Sequence, residues 1–177
     1  MPVNTSIKNI MSDPTNPVRA AKDEASAVIA VESVIADHPF LRGLSPEHLR
    51  VLADSAMRMR FETGELIFRE GDPANRFYLI EKGRVSLESP RRDDAPAAVQ
   101  IIGPGDVLGW SWLFPPYYWN FDARTLEPTT AIFFYGTRLR ERCDQDHDFG
   151  FEMMKRMTQV VIARLQATRK QLITVRS

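Results

Sequence analysis

A single cysteine, Cys143, stands among 177 residues. No intramolecular disulfide can form from it, which fits a reducing cytoplasm, and the residue reads as a small buried apolar side chain. Histidine is nearly as scarce. His38, His48 and His147 include no pair at i, i+3 or i, i+4 and no His-Glu-x-x-His step, so no local metal site is written into the chain. The Gly-x-Ser-x-Gly, phosphate-loop and dinucleotide fingerprints are missing as well, and the expected class is not an enzyme. An excess of either charge is also lacking. The 23 Lys+Arg balance 23 Asp+Glu, so the chain as a whole is no polyanion binder. Apolar runs such as Val28–Val31 and Val160–Ala163 are far too short to span a bilayer, and the N-terminus has no secretory pattern. A cytoplasmic location without membrane contact is therefore expected.

What is present is 44% apolar and 26% charged residues, the composition of one globular domain with extensions. Residues 1–23 mix Asn, Ser, Thr and Pro and read as an N-terminal arm. Residues 24–56 read as N-terminal helices. Ala25–Ala36 is helical in composition and stopped by Pro39; a second helix starts at Leu44-Ser45-Pro46-Glu47, where Ser45 can cap and Pro46 suits the first helical position.

From Met57 the period changes, and residues 57–135 read as a β-roll core. Met57-Arg58-Met59-Arg60-Phe61 alternates like a half-buried strand. Short apolar runs follow at Leu66–Phe68, Phe77–Ile80, Val85–Leu87 and Val99–Ile102, with two more strands at about 122–126 and 130–135. Six of the nine glycines (Gly64, Gly71, Gly83, Gly103, Gly105 and Gly109) punctuate this stretch, so the chain turns often. Arg91–Ala97 reads as a charged hairpin tip. Residues 136–177 return to helix, a short one and then one from Asp148 to about Val175, roughly 40 Å long at the helical rise. Met154, Thr158, Val161, Leu165, Thr168, Leu172 and Val175 follow four-three heptad spacing. A helix this long cannot bury every side on one small roll, so pairing with a second copy is expected. The fold class is α+β: an antiparallel β-roll (jelly roll) with flanking N-terminal helices and a long C-terminal dimerisation helix.

Three segments carry a family resemblance. Phe61-Glu62-Thr63-Gly64-Glu65-Leu66-Ile67-Phe68-Arg69-Glu70-Gly71-Asp72, Phe77-Tyr78-Leu79-Ile80-Glu81-Lys82-Gly83-Arg84-Val85 and Gly105-Asp106-Val107-Leu108-Gly109 are similar to cyclic-nucleotide-binding domains of the catabolite-activator (Crp/Fnr-like) type. That resemblance implies a phosphate-binding cassette after Gly109, with a Glu for the ribose and, some ten residues on, an Arg for the cyclic phosphate. Trp110 occupies the Glu position, and Trp119 or Asn120 the Arg position. Arg124-Thr125 resembles the second half of the cassette but comes about four residues late. Thr168, within Arg164-Leu165-Gln166-Ala167-Thr168, matches the slot where family activators place a threonine against the base. It serves equally as a polar residue of the seam.

The stretch Trp110–Phe121 holds seven aromatics in twelve residues, including all three tryptophans. Three readings of it stay open. The rings fill a vacant nucleotide pocket as core; or they line a pocket for an apolar or aromatic effector, with Ser111, Tyr118, Asn120 and Arg124 as its polar groups; or some face outward as a protein-docking patch. The candidate effector-binding residues are Gly109, Trp110, Ser111, Tyr118, Trp119, Asn120, Arg124 and Thr168. No cofactor is assigned beyond a cyclic nucleotide or an aromatic or apolar small effector. The expectation is a non-catalytic regulatory sensor module acting as a homodimer on an unknown downstream protein. The alternatives are a cyclic AMP- or cyclic GMP-binding regulatory subunit using a shifted Arg124, and a structural dimeric adaptor with a plugged pocket. The chain stops at Ser177, about where a helix-turn-helix would begin in the family's transcription factors, so no DNA contact through this chain alone is expected.

Overall fold

A computed structural model describes residues 31–89 and 97–175, apart from the side chains of residues 97, 171, 172, 174 and 175. The expected N-terminal arm, the hairpin tip up to residue 96 and the first half of the first helix lie outside the described residues. After helical residues 31–37, α1 spans Pro46–Ala53, with the Ser45 side chain accepting a hydrogen bond from the His48 N–H at 3.2 Å. Eight strands follow: β1 (Ala56–Phe61), β2 (Leu66–Phe68), β3 (Arg76–Lys82), β4 (Val85–Ser89), β5 (Ala97–Ile102), β6 (Val107–Leu108), β7 (Asp122–Thr125) and β8 (Thr129–Tyr135). A short 3₁₀ turn, Trp110–Trp112, sits between β6 and β7. Helices α2 (Gly136–Gln145) and α3 (His147–Val175) complete the described chain.

The strands form two four-stranded antiparallel sheets, ordered β1-β8-β3-β6 and β2-β7-β4-β5. Apart from the β4–β5 pair, consecutive strands fall into different sheets, so the chain winds back and forth as a roll. The run Phe77-Tyr78-Leu79-Ile80 has no polar alternation because β3 is covered on both faces. Phe77 and Leu79 point to the helices, where they meet Ile132, Phe134, Trp112, Leu139, Phe149, Met153 and Met157. Tyr78 and Ile80 point into the roll among Phe61, Val85, Leu87, Leu108 and Phe133. β1 is covered on one face only. Phe61 is buried and Met59 half-buried, but Met57, at the strand's open end, is 51% exposed. At Gly83 (φ +89°) an added Cβ would stand 2.7 Å from the Pro128 carbonyl oxygen, so this β-turn requires glycine twice over.

Long helix α3 is fastened to the N-terminal turns by Arg156, whose guanidinium donates to the carbonyls of Phe40 (2.6 Å) and Arg42 (3.0 Å). In the same N-terminal turns lies buried His38. Its Nδ1 accepts from the Phe40 N–H at 3.2 Å, so the neutral ring carries its proton on Nε2. Burial lowers its pKa below the ordinary 6.5, against smaller opposing pulls from Asp106 and Glu81. The unfolded chain therefore takes up this proton at higher pH than the native one. The resulting stability is present above about pH 6.5 and is lost as pH falls through the lower native value. Chemical denaturation between about pH 5 and 7 is expected to show that loss. In His38→Asn, which keeps an acceptor for the Phe40 N–H, the slope should flatten; an unchanged slope would place the titration elsewhere.

Candidate functional site

The segment between β6 and β7 is held by its backbone. Gly71 N–H donates to the Trp119 carbonyl (2.9 Å), Trp119 N–H to the Asp72 carbonyl (2.9 Å), and Ala74 N–H to the Tyr117 carbonyl (2.7 Å). The turn after β2 thus clamps residues 117–119 from outside and aims the Trp119 side chain inward. Its ring stacks on Phe68 with centroids 4.0 Å apart and planes at 12°, and only 5% of the residue is exposed. On the other side it meets Gly109, which has φ +89°; a Cβ there would fall 2.7 Å from the indole. Glycine at 109 is what lets the ring lie down.

The space enclosed by this segment is bordered by Phe68, Leu87, Leu108, Trp119, Phe121 and Arg164, together with Gly109, Trp110, Ser111 and Asn120. Only about 10 Å³ of it remains open, about the volume needed to admit one water. Its polar pair is internally satisfied, since the Asn120 amide donates to the Ser111 hydroxyl oxygen at 2.9 Å. The one cation at its edge, Arg164 of α3, donates to the Val107 carbonyl.

Five of the residues singled out from the sequence, Gly109, Trp110, Ser111, Trp119 and Asn120, are brought together at this cavity. Tyr118, Arg124 and Thr168 are not among its walls. Tyr118 pairs with Pro73 in an isolated bridge and is 51% exposed. Arg124 lies on β7, where Ala123 and Thr125 take the buried positions, so strand alternation turns it outward. There its guanidinium donates to the Gly64 carbonyl at 3.0 Å and approaches Glu88 at 3.4 Å. Thr125 anchors the same turn, accepting from the Glu65 N–H and donating to the Glu62 carbonyl. The Arg-Thr pair therefore braces the β1–β2 turn. Phe68 and Arg164 belong to the cavity although the sequence reading passed over them. Phe68 sits in a three-residue strand with no visible alternation, and Arg164 sits among other basic residues of α3.

The aromatic stretch divides. Trp112 is fully buried and stacks on Phe77 (5.2 Å, 16°), while its carbonyl accepts from Arg140 at 2.6 Å. Tyr117, at 38% exposure, lies under the Arg140 guanidinium at 4.5 Å. The Cys143 thiol is half-buried and pushed up to about 11, chiefly by burial, so it stays protonated.

Residues 58–146, half of the chain, match the cyclic nucleotide-binding domain family. The chain belongs to that family. It is 26% identical over 102 residues to the CRP-like cAMP-activated global transcriptional regulator of Mycobacterium tuberculosis, a match covering 58% of this chain and 46% of that protein. A shorter match, 40% over 70 residues, covers 40% of this chain and 21% of the acetyltransferase Pat of Mycolicibacterium smegmatis. The chain thus spans less than half the length of these curated relatives. Among solved structures, a Geobacter metallireducens GS-15 protein named for cyclic-nucleotide binding superposes with a TM-score of 0.69 at 28% identity, covering 76% of this chain and 97% of that one. The antiparallel roll with its C-terminal helices is the fold of a cyclic nucleotide-binding domain. Among the described residues no helix is long and apolar enough to cross a membrane.

Proposed function

We propose that this chain is a non-catalytic regulatory module of the cyclic nucleotide-binding type whose cassette cavity does not take a cyclic nucleotide. The observation that carries the reading is Trp119, stacked on Phe68 inside a cavity reduced to about 10 Å³. A cyclic nucleotide needs several hundred Å³, the scale of small-molecule pockets. It also brings an anion, which when buried needs a cationic partner. Arg124 faces outward, and Trp110 stands where the family's carboxylate would be, so neither charged determinant is in place.

In this reading the module acts as a homodimer through the outer face of α3, where Met154 and Leu165 are 42% and 69% exposed and Phe151 and Ile162 also lie open. Thr158 of the heptad seam is exposed too, and Val161 and Thr168 are half-exposed; the side chains of Leu172 and Val175 lie outside the described residues. It would act in the cytoplasm, passing a signal to a downstream protein by a shift of α3 against the roll.

Cyclic AMP and cyclic GMP titrated into the full chain to millimolar concentration, followed by tryptophan fluorescence and calorimetry, should give no saturable signal. Micromolar binding of either would sink this reading.

A further inference from the structure

The roll-facing side of α3 changes character along its length. Met153 and Met157 are fully buried and fill the contact. Further along, Val160 still packs half-buried against the same core, whereas Ala163 is exposed and Arg164 half-buried. A cleft of about 330 Å³ opens there, between α3 and the β5–β6 turn. Its apolar walls include Phe40, Ile102 and Val107, and its polar groups are Gln100, Asp106, Arg156, Gln159 and Arg164. Strand alternation in β6 separates it from the cassette cavity: Val107 faces the cleft and Leu108 faces the roll interior. Arg164 borders both.

The cleft holds more positive than negative charge available to a ligand. Its acid, Asp106, is already engaged, with Oδ2 accepting from the Gly103 N–H at 2.8 Å. Arg156 stands 3.4 Å from Glu152 and bonds two carbonyls. Arg164 forms no ion pair among the described residues, and the Val107 carbonyl takes one donor of its five-donor fork. Burial pushes its pKa down to about 10, against a smaller opposing pull from Asp106. A half-buried cation that Asp106 offsets only in part is costly, and an anion beside it would recover that cost.

We propose that this cleft is a binding site for a small amphipathic anion: an aromatic or apolar body carrying one carboxylate or phosphate, with Arg164 as its counter-ion. The apolar walls supply the buried area, and Gln100 and Gln159 offer hydrogen bonds from the roll and from the helix. Its volume is at the small end of the range for ligand pockets, which selects single-ring ligands. Such a ligand touches roll and α3 at once, so it would favour one arrangement of the two over others. The site is distinct from the cassette cavity and does not depend on that cavity being filled.

Calorimetric titration of the full chain with phenyl phosphate and with indole-3-acetate, using neutral benzyl alcohol as control, tests the site. We expect saturable submillimolar binding of at least one anion and at least tenfold weaker binding of the alcohol. Binding should weaken at least tenfold in Arg164→Gln and disappear in Ala163→Phe, which fills the cleft without removing charge. Circular dichroism would confirm that both variants fold. No binding of either anion at millimolar concentration, binding untouched by both substitutions, or binding that cyclic AMP competes away would each overturn the proposal. Direct cyclic AMP binding without such competition would overturn only the reading of the cassette cavity.

Discussion

Trp119→Ala is expected to lower stability by about 3–5 kcal/mol and still to gain no measurable affinity for cyclic AMP. The first effect follows from the ring's place. It is 5% exposed, stacked at 4.0 Å on Phe68 and seated on Gly109. The clamp on residues 117–119 is made by backbone, so the walls cannot simply collapse into the gap. For a chain this size the loss lowers the thermal midpoint by roughly 10 °C. The second effect follows from the walls that remain. Phe68, Leu87, Leu108 and Phe121 are apolar, and Arg164 is turned to the Val107 carbonyl. An enlarged apolar space takes an apolar ring, as engineered core cavities do. Millimolar indole should therefore restore part of the lost midpoint in the variant and leave the parent unchanged, while cyclic AMP shifts neither. If the variant instead bound cyclic AMP at micromolar concentration, the ring alone would be what excludes nucleotide, and the missing charges would be immaterial.

The roll was readable because its signals are local. Turn glycines at 64, 71, 83, 105 and 109 all adopt positive φ, and the apolar runs between them coincide with β2, β3, β4 and β5. Ser45 and Pro46 mark the start of α1 as their chemistry requires. β6 was harder to see. It is two residues long and pairs only with β3, a contact that no period within Val107-Leu108 can announce. β3 itself shows the limit of pattern reading: Phe77–Ile80 gives no clue which residue faces helix and which faces roll until both layers are in place.

The candidate site was legible in composition but not in direction. That tryptophans replace a carboxylate and a guanidinium can be read from register. Which ring turns inward cannot, because the turn of residues 71–74, nearly fifty positions upstream of Trp119, sets it. Arg124 illustrates the same gap. Its type and neighbour suit a phosphate site, yet a strand position with buried residues on both sides sends it outward to Gly64 and Glu88. Arg164 was hidden for the opposite reason. In sequence it is one basic residue among several on α3, and only the packing of α3 on the roll brings it to the edge of two cavities.

Leu165→Glu is expected to turn a dimer into a monomer without unfolding it. Leu165 is 69% exposed and Ile162 48% exposed, on a helix whose opposite side is already committed to the roll through Met153 and Met157. Burying one leucine contributes about 1.5–3 kcal/mol, and a two-fold seam loses it twice. The substitution also sets two carboxylates against each other across the seam, which costs more. At about 1.4 kcal/mol per factor of ten, the dimer should weaken at least a hundredfold. The isolated fold should hardly notice. Glutamate is a good helix former, and Arg169 lies one turn along to receive it. Light scattering at micromolar concentration should give twice the chain mass for the parent and the single chain mass for the variant, with matching circular dichroism. A parent that runs as a monomer removes the dimer outright. A variant that stays dimeric moves pairing to another face, and it would leave the open apolar stripe of Phe151, Met154, Ile162 and Leu165 for a different protein to cover.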